Sequence, residues 1–126
     1  MSIRTPLGRV RGLGSAKEGV QHWWMQRLTA LALVPLSLWF IFTMVAHAGY
    51  DHGQIVGWLG HPSNAVLLIL LLAATFHHAQ LGLQVVIEDY VHGEGAKLAG
   101  IIIVKFLAVL LATGAIVGIL RLALGS

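Results

Sequence analysis

Three long apolar stretches dominate the chain, and segments rich in turn-forming residues separate them. A helix needs about 20 apolar residues to cross the hydrocarbon core of a bilayer. We therefore predict transmembrane helices over residues 28–47, 65–90 and 98–120. The connections at 47–64 and 92–97 contain several glycines, which are common in turns.

The composition supports an all-α membrane protein. Of the 126 residues, 57% are hydrophobic and 10% are charged, whereas soluble domains carry about 25% charged residues. The mean hydropathy is +0.82. We expect residues 1–27 to form an N-terminal arm with an interfacial segment, and residues 28–126 to form the three-helix anchor domain. Residues 46–48 resemble a signal-peptidase site, but the preceding apolar run is long and starts late, so we expect it to stay in the protein.

Basic residues are distributed unevenly, and their positions predict the orientation in the membrane. The net charge is +3. Five basic residues precede or begin the first span: Arg4, Arg9, Arg11, Lys17 and Arg27. The first connection has no Lys or Arg, and the second has Lys97. Because basic loops stay inside, we predict a cytoplasmic N-terminus and a periplasmic C-terminus. A nucleic-acid surface is not expected from so small a basic arm.

Two adjacent histidines, His77 and His78, lie within the second predicted span. Ionisable residues inside a membrane span are rare and mostly functional, although a histidine there can also simply hydrogen-bond a neighbouring helix. The chain has no cysteine, so within it a redox cofactor must be held by histidine, methionine or packing. Haem fits an apolar bundle, and imidazole is a common axial ligand.

A haem with two histidine ligands could not be completed by this chain. His77 points about 100° away from His78 around the helix, and the other histidines lie at or beyond the ends of the predicted spans. The second ligand would come from another chain, either a different protein or a second copy. His78 is the expected ligand, and His77 is the alternative.

His78 and Asp89 share one face of the second helix. Eleven residues correspond to about 1100°, which is about 20° from full turns, and to about 16 Å along the axis. Gly82, one turn from His78, allows a flat ligand or another helix to approach. Asp89 and Tyr90 lie at the membrane boundary. They fit either a binding site or an ordinary helix end with an interfacial tyrosine.

These residues resemble a known family. The pattern H-A-x-x-G-x-x-x-V-x-x-D-Y-V, from His78 to Val91, is similar to the second helix of the smaller, hydrophobic membrane anchor of succinate dehydrogenase, respiratory complex II. The segment RLTA resembles the start of the first helix in that family, and GSAKEGVQHWWMQR resembles its alpha-proteobacterial form. The resemblance covers essentially the whole chain.

The resemblance implies a role for each matched residue. It implies that His78 is an axial ligand of haem b, with the other ligand supplied by the partner anchor of the complex, its cytochrome b556 subunit. It implies that Tyr90 hydrogen-bonds a ubiquinone carbonyl and that Asp89 belongs to the same site. It also implies that Arg27 and His22 lie near the haem propionates, although the family spacing between the two residues is six and is five here.

The resemblance also implies a larger assembly in a bacterial inner membrane. Succinate would be oxidised in a flavoprotein that carries FAD, and electrons would pass through an iron–sulfur subunit to ubiquinone. No residue of this chain is expected to take part in succinate oxidation itself. The alternatives are a fumarate reductase anchor, a small proton-relay or transport subunit using the histidines and Asp89, and a structural anchor without a cofactor.

Overall fold

The protein consists of four α-helices in a computed structural model that describes residues 16–125, with side chains from residue 19 onward. They are α1 (Ala16–Ala46), α2 (His52–Gly60), α3 (Pro62–Tyr90) and α4 (Glu94–Ala123). No strand occurs in this part of the chain. Three helices, all but α2, are long and apolar enough to cross a membrane. The predicted all-α membrane fold with three spans is confirmed.

Helix α1 extends well beyond the first predicted span at its N-terminal end. It has 31 residues, or about 46 Å at 1.5 Å per residue, which exceeds the roughly 30 Å hydrocarbon core. The tryptophan-rich interfacial segment before residue 28 is therefore a continuation of the same helix. Pro35 lies inside α1 without ending it. Arg4, Arg9 and Arg11, which support the predicted orientation, lie outside the described residues.

The first predicted connection contains a helix that the apolar pattern did not predict. Asp51 caps α2: its carboxylate accepts the Gln54 N–H at 2.8 Å, and the Gln54 side-chain oxygen accepts the Asp51 N–H at 2.9 Å. This reciprocal capping box satisfies two backbone donors. Helix α2 ends at Gly60, and Pro62 begins α3 at a position where its missing N–H carries no penalty.

Helix α3 is the centre of the molecule, with α1 and α4 on either side. Both pack against α3, whereas no Cα of α1 lies within 8 Å of a Cα of α4 among the described residues. An ideal Cβ at Gly100 would lie 3.5 Å from the Ile87 side chain, so α4 approaches α3 closely near their connection. The first turns of α4 therefore lie beside the last turns of α3.

Helices α1 and α3 are antiparallel. Thr29 contacts His78, and Gln26, three residues earlier, lies beside Gly82, four residues later. The start of α1, the end of α3 and the start of α4 thus share one end of the molecule, which we call the Tyr90 end. Arg27 and Lys97 belong to this end, so both lie on the same side of the membrane; that this side is cytoplasmic stays a prediction.

Little of the apolar surface is buried within this chain. The buried apolar side chains are Trp58, Ala65, Leu68, Ala74 and Leu81. No residue in the most apolar 18-residue stretch of α4 is buried. The side chains of Phe42 in α1 and Phe106 in α4 are 71% and 72% exposed. Such surfaces require lipid or another protein around them.

The end opposite Tyr90 is held by aromatic packing and one close backbone contact. Trp58 of α2 stacks on Trp39 of α1 at 5.9 Å between ring centroids, and His47 lies 5.9 Å from Trp58. The Asn64 amide of α3 donates to the Trp58 carbonyl at 3.0 Å. Gly60 lies so close to α4 that an ideal Cβ would be 2.7 Å from the Leu122 carbonyl oxygen.

We expect Gly60→Ala to destabilise the folded protein by about 1–3 kcal/mol, because the added methyl group would overlap a backbone atom that cannot rotate away. Gly57→Ala is the matched control in the same helix, since nothing lies within 4 Å of its ideal Cβ. Thermal unfolding of the detergent-purified protein measures both. An unchanged melting temperature for the Gly60 variant would contradict the close contact.

Candidate functional site

His78 faces α1 in the membrane-spanning part of α3. Its Nδ1 lies 3.0 Å from the hydroxyl oxygen of Thr29, which is 8% exposed. Ala74 and Leu81, one turn to either side of His78, are buried. The contact matches the ordinary expectation of a histidine bonded to a neighbouring helix, but it uses only one ring nitrogen. Among the described residues no hydrogen bond reaches Nε2.

Helix α1 presents a polar face to α3 on the Tyr90 side of this contact. His22, Gln26 and Thr29 are spaced by four and three residues, which places them on one side of a helix. The Gln26 side-chain nitrogen lies 3.9 Å from an ideal Cβ at Gly82. His22 Nε2 and Gln26 Oε1 are both buried and have no hydrogen-bond partner among the described residues. Buried polar atoms are seldom left unpaired, so this face is suited to a further polar group.

Sequence reasoning missed Thr29 and Gln26 as members of this site. The spacing of His22, Gln26 and Thr29 could have indicated a shared helix face. It does so only if one continuous helix contains all three residues. The predicted first span begins at residue 28, so the regular spacing is interrupted between Gln26 and Thr29. The continuous α1 helix brings the three side chains together.

Arg27 lies on a different face of α1 from His22. Its guanidinium carbon is 5.0 Å from the centre of the Trp23 ring. Five residues along a helix correspond to a rotation of about 140°. The structure of this chain does not bring His22 and Arg27 together.

His77 is next to His78 in the sequence, and its side chain borders two cavities. It borders a cavity of about 650 Å³ between α3 and α4, together with Gln80 and Lys105, and a smaller one of about 340 Å³ next to Thr29. Its Nε2 is buried, and no described side chain or backbone group forms a hydrogen bond with it. Among the described residues, no three His, Cys, Asp or Glu side chains come together as metal ligands.

Asp89 and Tyr90 are the last residues of α3, and both are exposed. Tyr90 is 76% exposed, so the described part of this chain does not enclose its phenol. Glu88, just before them, accepts a hydrogen bond from Gln84 at 3.1 Å, and Gln84 accepts one from Gln80 at 3.2 Å. The Asp89–Tyr90 pair stands at the Tyr90 end, on the same side of the molecule as His22 and Arg27.

Known proteins share the sequence of this chain over most of its length. The family model described as "Succinate dehydrogenase/Fumarate reductase transmembrane subunit" matches residues 1–112. The chain is 36% identical over 117 residues to a succinate dehydrogenase hydrophobic membrane anchor subunit of Rickettsia bellii, covering 93% of this chain and 94% of that protein. It is 30% identical over 126 residues to the protein of that name in Paracoccus denitrificans, covering 100% and 97%. No solved structure gives a significant match.

Proposed function

This chain belongs to the family of succinate dehydrogenase and fumarate reductase transmembrane subunits, and we propose that it anchors a succinate dehydrogenase in the bacterial inner membrane. In this proposal it holds haem b at His78 and contributes Asp89 and Tyr90 to ubiquinone reduction. The succinate direction is favoured because the matched relatives from Rickettsia and Paracoccus are named as succinate dehydrogenase subunits.

The observation that carries the haem proposal is the arrangement of His78. Its Nδ1 is engaged by Thr29 at 3.0 Å, which leaves Nε2 as the nitrogen for a metal bond. A metal-bound histidine typically makes a hydrogen bond through its other ring nitrogen. Haem b, when bound, would exchange single electrons with the rest of the assembly. Because a bis-histidine haem needs a second imidazole, we assign the other ligand to the partner anchor, the cytochrome b556 subunit.

His22 fits a role near the haem propionates better than Arg27 does. The Nε2 of His22, which is buried and has no partner in the part of the chain that the structure describes, lies on the α1 face that also carries Thr29. An imidazole N–H donates well to a carboxylate. Arg27 would have to leave the face of Trp23, which its long side chain allows. We therefore keep both residues in the proposed propionate site, with His22 as the nearer one.

The quinone proposal rests on the chemistry and position of Asp89 and Tyr90. Reduction of ubiquinone to ubiquinol takes two electrons and two protons. A phenol that donates to a quinone carbonyl binds more strongly as negative charge develops on the oxygen. Asp89, exposed beside it, can pass protons from water to the site. Since Tyr90 is largely exposed in this chain, partner subunits would close the pocket.

The remaining redox chemistry belongs to other subunits in this proposal. The chain has no cysteine to hold an iron–sulfur cluster. In the proposal, succinate is oxidised at FAD in the flavoprotein, and the electrons reach this chain through the iron–sulfur subunit. Both soluble subunits would dock on the cytoplasmic side, where we place the Tyr90 end. The basic residues Arg27 and Lys97 at that end support this orientation.

We expect His78→Ala to abolish or strongly alter the b-type haem spectrum of the purified complex, because the axial ligand is lost. His77→Ala is the matched control and should keep the wild-type spectrum. Reduced-minus-oxidised absorption spectra of both variants provide the measurement. A normal spectrum in the His78 variant, with loss in the His77 variant, would reassign the ligand to His77.

We expect Tyr90→Phe to lower succinate–ubiquinone reductase activity by roughly 5- to 30-fold, since one hydrogen bond of roughly 1–2 kcal/mol to the developing charge is lost. Reduction of a soluble dye by succinate should stay near normal, because that electron path ends before the quinone. Tyr50→Phe, at the opposite end beside His47, should leave both activities unchanged. Equal losses of both activities in the Tyr90 variant would refute the quinone role.

A further inference from the structure

The Thr29 hydroxyl contacts three polar atoms at once. Its oxygen lies 2.8 Å from the Met25 carbonyl oxygen, 3.1 Å from the Gln26 carbonyl oxygen and 3.0 Å from His78 Nδ1. The residue is 8% exposed, so water does not compete freely for these contacts. In the described part of the chain, Thr29 is the only polar residue that is buried as a whole; in His22, Gln26 and His77 single atoms are buried.

The number of available protons determines the direction of these hydrogen bonds. A threonine hydroxyl has one proton to donate and two lone pairs with which to accept. The carbonyl oxygens of Met25 and Gln26 can only accept, and the shorter contact is to Met25. When the hydroxyl proton points to that carbonyl, the oxygen can only accept from His78. His78 must then carry its proton on Nδ1, which leaves the lone pair on Nε2.

We propose that Thr29 is a positioning residue that holds His78 in the Nδ1–H tautomer and fixes its ring orientation, so that Nε2 is presented as the axial ligand of haem b. This inference rests on the proposed haem site. The two other polar residues on this α1 face do not replace Thr29, because Gln26 lies opposite Gly82 and His22 is a further turn away.

The hydrogen bond should also influence the electronic properties of the ligand. Donation from Nδ1–H to an oxygen raises the electron density and basicity of the imidazole at Nε2. A more basic ligand stabilises the oxidised iron relative to the reduced iron. Loss of the Thr29 oxygen should therefore raise the midpoint potential of the haem and loosen the ring orientation.

The test compares Thr29→Val, which keeps the branched shape without the hydroxyl, with Thr29→Ser, which keeps the hydroxyl. Both are measured in the intact purified complex by redox titration of the haem and by electron paramagnetic resonance of its oxidised form. We expect an upward shift of potential and altered g-values in the Val variant, and values close to wild type in the Ser variant. Wild-type values in the Val variant, or equal shifts in both, would overturn the proposal.

Thr43→Val is the matched control for loss of a threonine hydroxyl in α1. Thr43 donates to the Trp39 carbonyl at 2.6 Å in the same intrahelical manner, far from His78, so its removal should leave the haem unchanged. If Thr29→Val yields no complex with haem, the haem potential of Thr29→Cys is measured instead, because a thiol accepts only a weak hydrogen bond from His78. A raised potential there supports the proposal, and a wild-type potential contradicts it.

The role of His78 as haem ligand and the role of Thr29 as positioning residue can be tested separately. If His78→Ala removes the wild-type haem signal while Thr29→Val leaves the potential and g-values unchanged, the haem ligand stands and the positioning role of Thr29 is wrong. If His78→Ala leaves the haem signal unchanged, the ligand assignment fails first, and Thr29 has no haem ligand to position.

Discussion

The hydrogen bond between Thr29 and His78 determines how α1 meets α3 and which chemistry the candidate site can support. Within a bilayer, a buried polar group cannot turn to water, so its partner must come from the protein or from a ligand. Among the described residues, it is the only hydrogen bond between two of the three long helices. It fixes which face of α1 meets α3, and it thereby places Gln26 beside Gly82. It also leaves a single ring nitrogen of His78 free for chemistry.

The chain contributes only part of a site around this contact. Within residues 19–125, the buried atoms of His22, Gln26 and His77 have no hydrogen-bond partners, and the phenol of Tyr90 is largely exposed. Helices α1 and α4 flank α3 without closing around it, and most of their apolar surface remains uncovered. These features fit a protein whose sites are completed by neighbours. They fit a self-contained proton relay less well, because about 16 Å of helix separates His78 from Asp89.

Much of the fold could be predicted from the sequence, because runs of apolar residues determine which segments can cross a bilayer. The shared face of His78 and Asp89 also followed from helical geometry. Other features could not be read from hydropathy. The residues before 28 are too polar and aromatic to register as a span, although they continue α1. The capping box of Asp51 and Gln54 precedes a helix of nine residues, which is too short to stand out as an apolar run. The Thr29 contact depends on how α1 is rotated against α3, and a helix that is apolar on most sides does not specify this rotation.

A density map of the intact, haem-loaded complex, at a resolution that separates the two adjacent histidines, would test the role of His78 most directly. We predict iron bonded to Nε2 of His78, with Nδ1 of the same ring against the Thr29 hydroxyl and a histidine of a second chain as the other axial ligand. Iron bonded to His77, both ligands supplied by other chains, or a His78 ring turned away from Thr29 would contradict this prediction.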